Sequence, residues 1–214
     1  MAGVSSESLT KALEQLEATL PTASLQLAKD LFGILGTVDS SAGLRRALTD
    51  PSRSGEEKSA LVKQLVGGKV SADAAEIASG LASSRWASAR DIGDALETLA
   101  ATVVIAVAEN KSAVSASGIT GLEELENDLF AFNQTVASSH EVQRALGESQ
   151  ASAAAKISLA EKLVPGASPE AQLLIAQAVS QPRGVKRASS STISPSLQPS
   201  ASSAGSQLSA LPVR

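Results

Sequence analysis

Few residues in this chain combine the type and the spacing that chemistry requires. Gly67-Gly68-Lys69 has the composition of a phosphate-binding loop, but the upstream Gly is missing and Val70 stands where Ser or Thr would hold magnesium. The same residues read as the C-cap of a helix. His140 is the one histidine, with no motif-marked nucleophile and no second ligand, so it reads as a solvated or capping side chain at the start of a short helix. With no cysteine in the chain, disulfides, thiolate zinc sites and a cysteine nucleophile are excluded. Glu123, Glu124 and Glu126 fall in the first turns of a helix, where acids favour the dipole. A catalytic carboxylate pair needs a cleft that drives two pKa values apart, and nothing in the pattern marks one. Trp86, beside Arg85, is either an interface anchor or the largest plug of an Ala-rich core, and the plug is the favoured reading. No catalytic, cofactor-binding or metal-ligating residue is therefore assigned, no cofactor is expected, and no individual partner-binding residue is singled out. A non-enzyme is expected.

The surrounding text is helical. Aromatics make up 2% of the 214 residues and apolar residues 43%, which favours Ala/Leu-packed helices over sandwiches or barrels. Helices are expected near 6–19, 23–38, 41–49, 55–66, 72–83 and 87–109, then near 120–138, 140–146, 152–164 and 169–180. Leu27, Leu31, Ile34 and Val38 form one apolar face, as do Leu122, Leu125, Leu129, Phe132 and Val136. In the long helix, Ile92, Leu96, Leu99, Val103 and Ala106 form a stripe placed to close a first bundle and open a second. Thr120 with Glu123 is a capping-box pattern, and Ser168-Pro169-Glu170 reads as N-cap, first-turn proline and early acid. Gly67-Gly68 and Pro165-Gly166 end the helices before them. Asp50-Pro51 and Gly147 break the chain at matching places. No stretch alternates with period two, so no sheet is assigned.

An offset of 98 residues aligns two stretches. Asp30-Leu31-Phe32 falls on Asp128-Leu129-Phe130, Arg46-Ala47-Leu48 on Arg144-Ala145-Leu146, Lys58 on Lys156, Leu65-Val66 on Leu163-Val164, and Gly68 on Gly166. A constant offset through helices and turns alike points to duplication. The expected fold class is all-α: two tandem helical bundles, 1–95 and 96–186, related by an internal repeat and followed by a disordered tail, 187–214. That tail holds ten Ser and three Pro among 28 residues and no acid, a composition that cannot bury enough apolar surface to offset its ordering entropy.

Residues 1–186 carry 16 basic and 22 acidic side chains with no dense Lys/Arg stripe, so nucleic acid is not expected as a partner. The apolar run Leu99 to Ala108 is too short to span a bilayer, and the first residues lack a basic start followed by an apolar stretch, so no signal peptide is expected. The expected place is the cytosol, docked on a membrane complex. Packed amphipathic helices leave furrows, and a partner's helix can lie in one.

The run Arg46 to Val66 resembles the delta subunit of F-type ATP synthases, the bacterial counterpart of the oligomycin-sensitivity-conferring protein. Leu48 ends a short helix, Asp50-Pro51 makes the turn, and Lys58 leads the next helix. Ile77 to Ala100 is similar to that family's helix, Arg turn and long final helix, with Arg85 at the Arg position. The second copy keeps Leu146 and Lys156 but has Glu148-Ser149 for Asp-Pro, and Arg183 follows Pro182. The resemblance covers about 1–186, and the duplicated form resembles actinobacterial delta subunits. It implies a six-helix bundle on the crown of the catalytic head that binds N-terminal helices of the alpha subunits in a groove. It also implies a separate C-terminal domain that grips the peripheral-stalk b subunit, and a stator that resists rotor torque without chemistry. The implied place is the cytoplasmic face of the cell membrane, peripheral. The alternative is an unrelated helical-repeat adaptor for amphipathic helices. In the family, a long helix would begin near Gly184. Ser/Pro-rich text stands there instead, which suggests a reading-frame shift near codon 187. A second bundle without its closing helix is expected to expose apolar surface around Leu173, Leu174 and Val179.

Overall fold

The computed structural model describes residues 3–111 and 118–180, and all regular structure among them is helical. The elements are α1 (Val4–Glu17), a 3-10 turn (Leu20–Thr22), α2 (Leu25–Ser40), α3 (Ala42–Thr49), α4 (Gly55–Val66), α5 (Ala72–Ser83), α6 (Asp91–Glu109), α7 (Gly121–Ala137), α8 (His140–Gly147), α9 (Ala153–Leu163) and α10 (Pro169–Ser180). The sequence expectations match these elements to within a few residues. The tail from 187, together with Pro182, Arg183 and Gly184, lies outside the described residues.

Serine starts most of these helices. Ser24, Ser41, Ser54, Ser71, Ser139 and Ser152 each sit at an N-cap and accept, through the side chain, from the backbone N–H three residues on. Each satisfies one of the donors that a helix start leaves open. Thr120 and Glu123 form the expected capping box, and Ser54 with Glu57 forms another. Ser168 Oγ accepts from Ala171 N at 3.4 Å ahead of Pro169. Helix α4 stops at Gly67, and Gly68 takes a φ of +71° that a side chain would resist.

Two buried clusters result. The first gathers Leu27, Leu31, Ile34 and Val38 of α2 with Val62, Val66, Leu81, Trp86 and the α6 stripe from Ile92 to Val104. The α2–α6 and α4–α5 pairings are its most extensive contacts. The second is smaller: Ala108, Leu125, Phe132, Leu146, Ala160, Ala171, Ile175 and Val179 are among its buried members. Helix α6 feeds both, and residue 95 lies inside it, within the stretch buried in the first cluster. At the junction, α7 begins against the end of α6. A Cβ on Gly121 would lie 2.5 Å from Ala108 O and 2.9 Å from Lys111 Cβ, so only glycine fits.

Leu173, Leu174 and Val179 are not the exposed surface expected from the sequence. Val179 is 5% exposed, and Leu173 and Leu174 pack against the first cluster. Helix α10 lies on α9, α7, α6 and α2, so Leu173 and Leu174 find an apolar wall in the first cluster while Val179 is buried in the second. Lys111 Nζ adds an ion pair to the buried carboxylate of Glu170 at 2.6 Å.

Several hydrogen bonds recur 98 residues apart. Thr37 Oγ1 donates to Gly33 O at 3.0 Å and Thr135 Oγ1 to Ala131 O at 2.8 Å. Arg45 donates to the carbonyls of Val38 and Asp39, and Gln143 to those of Val136 and Ala137. Asp30 Oδ2 accepts from Ser71 N at 2.8 Å, and Asp128 Oδ2, 98 residues on, from Ser168 N at 2.7 Å, with the serine offset by 97.

Candidate functional site

The sequence-marked residues are scattered. His140 is exposed, and the cap ahead of it is Ser139. Gly67-Gly68-Lys69 ends α4, with Lys69 Nζ donating to Leu65 O at 3.4 Å. Glu123 closes its capping box on Thr120 while Glu126 is exposed. Hydrogen bonds from the Thr120 backbone and hydroxyl hold the Glu123 carboxyl below its ordinary pKa. No group of three His, Asp or Glu side chains suited to a metal stands together among the described residues. Trp86 is 8% exposed within the first cluster, and its indole N–H donates to Leu81 O at 3.0 Å. It is a core plug, and its ring also walls a cleft.

That cleft, about 330 Å³, lies between the α3–α4 turn and the α5–α6 turn. Val4, Pro51, Trp86 and Ala87 give it an apolar side, and Arg53, Lys58 and Arg85 a basic one. Helices α4 and α5 meet closely below it: a Cβ on Gly55 would lie 2.8 Å from Ser83 O. This approach lets Lys58, 3% exposed, donate from Nζ to Ser84 O at 2.7 Å. Burial, and then the neighbouring Arg85 charge, lower the Lys58 pKa, against a smaller pull upward from Asp50. Helix α1 seals the back. Ser8 Oγ donates to Arg85 O at 2.7 Å, while Ser5 Oγ donates to Asp91 Oδ2 at 2.6 Å and accepts from Ala87 N at 2.8 Å.

Nothing in the sequence brings these residues into one cleft, although Lys58 and Arg85 each stand at a position of the family resemblance. One signal was available. Lys58, Val62 and Val66 recur every four residues and are all buried, so a lysine occupies a core register of α4. Among the described residues, Val4, Ile105 and Phe130 are the large apolar side chains left exposed, the last 64%. Among the described residues no helix is long and apolar enough to cross a membrane.

Comparison with known proteins gives this helical body its relatives. ATP synthase subunit delta of Pseudarthrobacter chlorophenolicus is 85% identical over 186 residues, which are 87% of this chain and 68% of that protein. The chain belongs to the ATP synthase subunit delta family. The subunit delta of an Arthrobacter species is 86% identical over the same share of both chains. That of Renibacterium salmoninarum is 65% identical over 188 residues, 88% of this chain and 68% of its own. No protein-family model matches the chain. Membership of the delta family separates the chain from the alternative of an unrelated helical adaptor, and the actinobacterial sources agree with the form it resembles.

Proposed function

We propose that this chain is a non-catalytic stator subunit of a proton-translocating F-type ATP synthase, peripheral on the cytoplasmic face of the cell membrane. In this reading it links the catalytic head to the membrane sector by holding N-terminal helices of the alpha subunits in a furrow between its own helices. The observation that carries the reading is the 85% identity over 186 residues to a subunit delta. The all-helical body, with amphipathic helices packed side by side, supports it by offering grooves of the kind that take a partner helix. The peripheral-stalk b subunit is the second proposed partner. The family resemblance assigns its grip to a C-terminal domain, and this chain matches 68% of its relatives' length.

Two further elements belong to the proposal. The bundles 1–95 and 96–186 are tandem copies, a reading supported by the hydrogen bonds that recur between α2–α5 and α7–α10. The text from residue 187 is out of frame. Translating the other two frames of the gene from codon 187 tests this, and a delta-like helix in neither would refute it. The partner reading is tested by fluorescence anisotropy of a labelled peptide from the alpha-subunit N-terminus, with a sequence-scrambled peptide as control. Saturable binding of the native peptide alone is expected. Equal binding of both, or of neither, contradicts the proposal.

A further inference from the structure

We propose that the cleft between the α3–α4 and α5–α6 turns binds an oxyanion, a carboxylate or phosphoryl group, held by Lys58, Arg85 and Arg53. Lys58 lies on the basic side of the cleft lining. Its side chain is buried, its ammonium meets the Ser84 carbonyl, and among the described residues no carboxylate stands within ion-pair distance of it. A buried ammonium with a neutral acceptor leaves a deficit of negative charge. Arg85 deepens that deficit, and Arg53 lines the same cleft. Asp50 offsets part of the Lys58 charge and also acts on Arg53, but it forms no ion pair with the lysine. Asp50 Oδ1 accepts from Ser52 N at 2.9 Å and from Ser52 Oγ at 2.7 Å, and Glu57 Oε2 accepts from Ser54 N at 3.0 Å.

The shape selects the ligand class. At about 330 Å³ the cleft is near the lower end of small-molecule sites, roughly 300–1,000 Å³. A guanidinium fork offers paired donors to a carboxylate or phosphate, while Trp86 and Pro51 offer an apolar wall to a short stem. Two sources fit this chemistry: dissolved phosphate, and an acidic side chain presented by a bound protein.

Trp86 is the only tryptophan in the chain, so intrinsic fluorescence reports on the cleft. The full chain is titrated with inorganic phosphate and separately with glutarate, a carboxylate on a short apolar stem, at ionic strength held constant with NaCl. A saturable change with a midpoint of about 1–10 mM is expected for at least one probe. Arg85→Gln should raise that midpoint roughly tenfold, and Lys11→Gln on the outer face of α1 should leave it unchanged. Arg85 is exposed, so this variant folds even if Lys58→Gln does not. A response to phosphate assigns the site to a free oxyanion, and a response to glutarate alone to an acidic side chain. No response beyond the NaCl control with either probe, or an unchanged midpoint in Arg85→Gln, overturns the site and leaves the stator reading untouched.

Discussion

Single atoms decide much of how this chain packs, and glycine shows it in both directions. Gly55 sits where a Cβ would meet Ser83 O at 2.8 Å, whereas Gly33 lies on the outer face of α2 with nothing within 4 Å. Gly55→Ala should therefore destabilise the fold by about 1–3 kcal/mol. Gly33→Ala should stabilise it by about 0.5–1 kcal/mol, by removing backbone freedom from the unfolded chain. Chemical denaturation of the two variants checks the opposite signs. Asp30 gives a pH-dependent case. Burial alone would raise its pKa, but hydrogen bonds from the Ser71 backbone, the Ser71 side chain and Gln26 outweigh it and leave it below 3.8. A carboxyl depressed in the folded state stabilises above its unfolded pKa and loses that contribution as pH falls through the folded value. The stability gap between wild type and Asp30→Asn should be widest near neutrality and close as pH drops below about 4, measurable by denaturant titration across pH. These contacts were not legible in the sequence, because Asp30 and Ser71 meet only once α2 and α5 pack.

Helices were the legible part, and the reason is local. Most starts carry Ser or Thr caps, and α3, α4 and α9 run into Gly or Pro, signals that act within a few residues of the boundary. The stripe of α6 from Ile92 to Ala106 was readable for the same reason, and all five of its residues are buried. What sequence could not supply was which helix covers which face. The expected bare surface near Val179 is covered, because α10 leans on α6 and α2 as well as on α9. Two consequences follow for these elements. Thr120→Ala removes the cap of α7 and should cost about 1 kcal/mol, a fall of roughly 2–4 °C in Tm for a domain of this size. Lys111→Met leaves the Glu170 carboxylate buried without its cation, and should cost about 1–3 kcal/mol. Hydrogen exchange should place that loss at α10 first, and a loss spread evenly over all helices would contradict the assigned role of the pair.

The assembled chain is unequal in its two halves. The first cluster buries the α2, α5 and α6 faces deeply, with Leu31, Leu99 and Val103 fully enclosed. In the second, Leu129 and Val136 are only half-buried and Phe130 is 64% exposed, where its counterpart Phe32 is 7% exposed. Apolar burial is the main stabilising term, so native-state hydrogen exchange should find α7–α9 opening at lower free energy than α2, α5 and α6. Equal protection in both halves would contradict this. In the role proposed above, this helical body of the subunit delta family holds a partner helix. The most direct test of that account is co-sedimentation of this chain with an ATP synthase catalytic head, carrying alpha subunits either intact or lacking their N-terminal segment. The account predicts stoichiometric binding to the intact head and loss of binding when the segment is removed. Binding to both heads alike, or to neither, would contradict it.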